Sequence, residues 1–141
     1  MNTYSNLQDI DSRLQLHIEL EPVGTPDVTV SVNGFANHYP KLANNIALDY
    51  RVGLLDLFSI DIELRNKHYT TEYETAVVIC KLSIDNIELV PKYDCLAEYH
   101  NDHNNNNPTN YLGFNGRWTL TFDRPFYHWL HQHSGHGWLI I

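Results

Sequence analysis

Hydrophobic and polar residues alternate with a period of two along much of the chain. Leu14, Leu16, Ile18 and Leu20 fall on one side, with Gln15, His17 and Glu19 on the other. An extended backbone sends successive side chains to opposite faces, so this pattern predicts a strand with one buried face. Pro22, Gly24 and Pro26 interrupt it as turn residues do. Val28, Val30 and Val32 then repeat the alternation, and Asn33-Gly34 signals a tight turn because both residues tolerate positive φ. Ile46, Leu48, Tyr50, Val52 and Leu54 predict another strand. Phe58, Ile60, Ile62 and Leu64 predict a further one, with Asp61 and Glu63 pointing outward. Residues 35–45 lack a period and read as a loop. Residues 1–12 are polar and read as an N-terminal arm.

The second half continues the pattern with breaks. A strand-like stretch runs from Ala76 to Val90, and Asp85-Asn86 shifts its phase, which predicts a bulge or a break between strands. Cys80 and Cys95 lie in apolar segments and read as buried free thiols, with a disulfide between neighbouring strands as the alternative. Tyr93 to Tyr99 is a short strand candidate. Residues 101–110 hold an Asn-rich run that cannot bury apolar area and reads as an exposed loop. Trp118, Leu120 and Phe122 alternate once more. Phe126, Trp129, Leu130 and His133 are spaced as one face of a helix, opened by Pro125, with Asp123 or a neighbour as its cap. Gly135 or Gly137 ends it, and a terminal strand or packed tail follows; Trp129 and Trp138 read as core. About seven or eight short strands, with turns every eight to twelve residues or so, predict an antiparallel β-sandwich of jelly-roll type with one short C-terminal helix. It would fill residues 13–141 as one domain; a small barrel is the alternative.

Charge narrows the partners. Nine Lys and Arg stand against 17 Asp and Glu, for a net charge of −8. Such a chain repels phosphate backbones, which argues against nucleic acid. No apolar run approaches the roughly 20 residues of a membrane span, and no basic, then apolar, leader opens the chain. Nine histidines make the net charge sensitive to pH near 6.

Candidate chemistry is sparse. His128 and His131 would lie on adjacent helical turns, near His133 and His136, and neutral imidazole is a ligand for zinc, nickel or copper. His100 and His103 flank Asp102 beside the Asn run, with Asp94 and Glu98 close in sequence, a second candidate for calcium or zinc. The plainer readings are polar surface for the first group and a solvated loop for the second. No nucleophile elbow, phosphate loop or dinucleotide fingerprint stands in the chain. The expectation is therefore a protein that is not an enzyme, with a small metal-dependent enzyme using the C-terminal histidines as the weakest alternative. Tyr69, Tyr73, Tyr99 and Tyr111 fall in loops or at strand ends, with Asn110 among them. Flat aromatic faces beside amide edges suit a glycan. The plainer reading is that tyrosine is common at strand ends.

Three blocks occur in order: Asn66-Lys67-His68 followed by Thr75-Ala76-Val77-Val78-Ile79; then Leu82-Ser83-Ile84-Asp85-Asn86-Ile87; then Gly113-Phe114-Asn115-Gly116-Arg117-Trp118-Thr119-Leu120, closing on Pro125-Phe126-Tyr127-His128-Trp129-Leu130. In order and pattern the chain resembles a group of small accessory proteins of tailed bacteriophages, cyanophages among them. The resemblance implies a carbohydrate-binding-module-like sandwich and a role in the virion as a capsid decoration, cement or tail protein. It implies protein partners and many copies or a homo-oligomer, and it carries no catalytic residues. The expected function is thus a virion accessory protein. A glycan-binding module, calcium-assisted or not, is the alternative.

Overall fold

The computed structural model describes residues 13–69, 72–90, 92, 93, 96–105, 107 and 109–134. The N-terminal arm, Cys95, His136 and Trp138 lie outside them. Among the described residues, ten strands form two antiparallel sheets. The first sheet holds β4 (Ile46–Gly53), β1 (Arg13–Val23), β6 (Ala76–Ile84) and β7 (Ile87–Val90) in that order, with β9 (Tyr111–Leu112) also paired to β6. The second runs β3 (Phe35–Tyr39), β2 (Asp27–Val32), β5 (Phe58–Arg65), β10 (Gly116–Phe122) and β8 (Glu98–Asn101). A helix, α1 (Phe126–Ser134), follows.

The alternation read along the chain becomes the core. Leu14, Leu16, Ile18 and Leu20 of β1 join Val28, Val30 and Val32 of β2, Ile60, Ile62 and Leu64 of β5, and Trp118, Leu120 and Phe122 of β10 in one buried cluster. Each buried aliphatic side chain contributes about 1.5–3 kcal/mol over its exposed state, so this two-sheet interior is the main source of stability. The fold is the expected antiparallel sandwich with a short C-terminal helix. Asn33 and Gly34 adopt φ of 51° and 84° and close the β2–β3 hairpin.

Three local readings change, and one open alternative is decided. Residues 35–39 are a strand, β3, not loop. It lies at a sheet edge with most of its side chains in water, so no apolar face marks it in sequence. Asp85-Asn86 is a break: both residues take positive φ (49° and 67°), and Ile84 pairs with Ile87 across a tight turn. The strand expected over 93–99 starts at Glu98, after a turn that buries Tyr93. Cys80 is an exposed free thiol rather than a buried one.

The register separates the ends of the sandwich. Pairings such as Asp27 with Arg65, Gly116 with Asn101 and Val23 with Ala76 bring the β1–β2, β5–β6, β8–β9 and β9–β10 connections to one end. The β2–β3, β4–β5 and β6–β7 turns gather at the other. There α1 closes the sandwich: Phe126 and Trp129 are buried, and Phe122 lies 4.6 Å from Trp129, ring centre to ring centre. Tyr93 meets the same tryptophan edge-on. Among the described residues, no helix is long and apolar enough to cross a membrane.

Candidate functional site

The open end carries a cavity of about 560 Å³, lined by Lys67, Tyr69, Glu74, Tyr99, Asn105, Asn107, Thr109, Tyr111, Gly113 and Phe114. Loops form its walls, and each is anchored to a strand. The indole N–H of Trp118, in the core, donates to the Thr109 carbonyl at 3.2 Å. Ile79 N–H donates to the Asn110 carbonyl at 2.8 Å, and the Asn110 side-chain amide donates to the Ile79 carbonyl. Asn110 therefore fastens the loop to β6 and lies outside the cavity lining. Gly116 sits where β8 passes closest: a Cβ there would lie 2.3 Å from the His100 carbonyl oxygen.

The aromatic residues divide by role. Tyr99 is 7% exposed, and its hydroxyl donates to the Phe114 carbonyl at 2.6 Å while accepting from the Phe114 N–H at 3.0 Å. Burial pushes its pKa up to about 12. It is a latch that fixes Phe114, with little ring left for a ligand. Tyr69 and Tyr111 are 47% and 42% exposed and offer their rings to the cavity. The Tyr69 hydroxyl accepts from the Asn115 N–H and donates to Asp102. Burial, then the Glu74 carboxylate, raises the Tyr111 pKa. Tyr73 is exposed and not part of the lining.

Lys67 and Glu74 were not read as site residues in the sequence. The Lys67 side chain is only 6% exposed. Its ammonium is paired with Glu74, donates to the Gly113 carbonyl at 2.6 Å and lies 5.5 Å from the centre of the Tyr69 ring. The hydrogen bond from Lys67 holds the Glu74 pKa below the usual carboxylate range. Asn115 clamps the Lys67 backbone from both sides, accepting its N–H at 2.8 Å and donating to its carbonyl at 2.9 Å.

Asp94 and His136 lie outside the described residues, and the described members of the predicted metal groups do not assemble. Among the described residues, no three His, Cys, Asp or Glu side chains lie close enough together to hold an ion. Asp102 accepts from Tyr69 with both oxygens and contacts the His103 ring, and these bonds lower its pKa. His103 stacks on Phe114 with ring centres 4.1 Å apart. His100 is exposed and pairs with Glu98. A hollow of about 350 Å³ beside the cavity, lined by His100, Asn101, Asp102, Asn104, Asn115 and Gly116, offers one carboxylate. Calcium takes about six to eight oxygens, several from carboxylates, so this donor set does not fit it. His128 is exposed and His131 half-buried on α1, at the closed end and remote from the cavity.

No family model matches the sequence, and no curated protein matches it. Among solved structures, the fold is similar to vCBM60 in its selenomethionine form, a calcium-dependent carbohydrate-binding module. The TM-score is 0.50 at 11% identity, over 77% of this chain and 90% of the module. A second structure of vCBM60, in complex with galactobiose, aligns at a TM-score of 0.47 and 13% identity, over 77% and 96%. The architecture is that of a carbohydrate-binding-module-like β-sandwich.

Proposed function

We propose that the domain binds a neutral saccharide chain in the open-end cavity. One observation carries the reading: the half-exposed rings of Tyr69 and Tyr111 share a cavity with Glu74, Asn105 and Asn107. A sugar ring pairs an apolar C–H face with hydroxyl edges. Aromatic rings match the first, and carboxylate and amide groups match the second. The similarity to a calcium-dependent carbohydrate-binding module supports this reading at the level of architecture. Charge argues for a neutral ligand. Lys67 is already neutralised by Glu74, Asp102 lies at the rim, and the whole chain carries −8. A uronic or sulfated sugar would meet repulsion and no unpaired lysine or arginine among the described lining residues.

Calorimetric titration with neutral oligosaccharides, and with uronate or sulfated counterparts of equal length, tests this. The expected result is saturable binding of at least one neutral series, lost in Tyr111→Ala. Preference for the acidic series, or binding unaffected by Tyr111→Ala, would overturn it.

The virion accessory role becomes the second reading. It draws on the phage-protein resemblance and on Phe35, which opens β3, and Leu55 and Leu57 of the β4–β5 turn, which are 79%, 74% and 61% exposed at the closed end. Large apolar side chains left exposed at one end favour contact with another protein. Quantitative mass spectrometry of purified particles, with many copies of the chain expected, tests that reading.

A further inference from the structure

Lysine is almost never buried without a partner, and a lysine held under a cavity floor needs a reason. Lys67 is placed with unusual care. Its backbone is clamped on both sides by the Asn115 side chain. Its ammonium gathers one carboxylate oxygen, from Glu74, and one backbone carbonyl, from Gly113. These oxygens belong to two different connections, and carboxylate plus carbonyl oxygen is the kind of set a hard cation collects. Two acids at this end are already engaged. Asp102 is held by Tyr69 and His103, and Glu74 by Lys67. The donor set that calcium would need is missing among the described residues.

We propose that the Lys67 ammonium is the resident cation of this cavity. It ties the β5–β6 and β9–β10 connections together as a bound metal ion would, so the open end keeps its shape without calcium. In this role Lys67 is a positioning residue. It draws Glu74 beside Tyr111 and sets the Gly113–Asn115 turn against Tyr69, whatever the cavity holds. A metal ion must be captured from solution, whereas this cation arrives with the chain and cannot be chelated away.

Thermal melting of the full chain tests the assignment, run in EDTA and in millimolar calcium chloride for the wild type, Lys67→Met, Glu74→Gln and the double variant. In the wild type, calcium and EDTA are expected to differ by less than about 1 °C, since an ion that does not bind the folded state cannot stabilise it. Lys67→Met keeps most of the aliphatic stem but strips Glu74 of its partner, and should lower melting by about 5 °C or more. The double variant should lose less than the two single losses combined, because both act on one contact. If Lys67→Met does not fold, Glu74→Gln carries the test, since that side chain is half-exposed and its loss leaves Lys67 without a counter-charge. Several degrees of destabilisation of the wild type by EDTA, or variants that melt like the wild type, would overturn the assignment. A saccharide titration repeated in EDTA separates this from the binding proposal. A wild type indifferent to EDTA that binds no saccharide retires the ligand and leaves Lys67 in place.

Discussion

The two ends of the sandwich are closed by different means. At one end α1 lays Phe126 and Trp129 over Phe122, and the cover is apolar, aromatic and buried. At the other, polar connections are held apart by hydrogen bonds and by the ion pair of buried Lys67 with half-exposed Glu74, and they leave a cavity. Apolar contact is non-directional, and it fills whatever space it is given. Hydrogen bonds and charges fix distances and angles, so they can hold a concave surface open. Stability should therefore concentrate at the closed end and recognition at the open one, with substitutions separating the two.

The largest effect is expected at the closed end. Trp129→Ala should cost about 3–5 kcal/mol through loss of packing and the cavity left behind. Denaturant unfolding followed by circular dichroism would measure it, and a loss under about 1 kcal/mol would show that α1 is not a true lid. Tyr99→Phe comes next, because it crosses the division: an open-end residue with a structural task. Removing its hydroxyl leaves the Phe114 N–H and carbonyl without their partner, at about 1–3 kcal/mol. Binding should weaken with it, as Phe114 loosens.

Acid should then distinguish the ends directly. Asp102 and Glu74 have folded-state pKa values below their ordinary 3.8 and 4.5, through hydrogen bonds with Tyr69 and Lys67 respectively. A depressed carboxylate pKa contributes stability that is present above the ordinary value and lost as pH falls through the folded one. Titration to below about pH 4 should therefore move the amide resonances of Asn115 and Phe114 before that of the Trp129 indole. Simultaneous movement would mean that the ends are not independent. The smallest expected change in stability, within about 0.5 kcal/mol, belongs to Tyr111→Ala. That variant should nevertheless lose binding, and a sharp drop in melting would recast Tyr111 as structural.

The sandwich was legible wherever a strand has one wet and one dry face. β1, β2, β5 and β10 announce themselves through alternating Leu, Val and Ile. β3 does not, because an edge strand with water around most of its side chains needs no apolar period. The site was legible only in its aromatics. Tyr69 and Tyr111 stand out in polar loops, but the burial of Tyr99 depends on a β8–β10 pairing that its own neighbours do not encode. Lys67 and Glu74 read as ordinary solvated charges. What buries Lys67 is a backbone carbonyl at Gly113 and a side-chain amide at Asn115, over forty positions away. A carbonyl is common to every residue and leaves no mark in a sequence.

The placement of β1 carries a consequence in time. It lies between β4 and β6, and Leu16 pairs with Ile84, nearly seventy residues further along the chain. At roughly 5–20 residues per second, synthesis needs about 3–14 s to supply that partner. For those seconds, Leu14, Leu16, Ile18 and Leu20 form a half-paired apolar ribbon with an open edge, the kind of surface that aggregates or recruits chaperones. Once β6 arrives, closing so long a loop makes the pairing slow, in the millisecond-to-second range or so for sheets dominated by distant contacts. The yield of this protein in a cell should therefore depend on synthesis rate and temperature more steeply than the depth of its finished core would suggest.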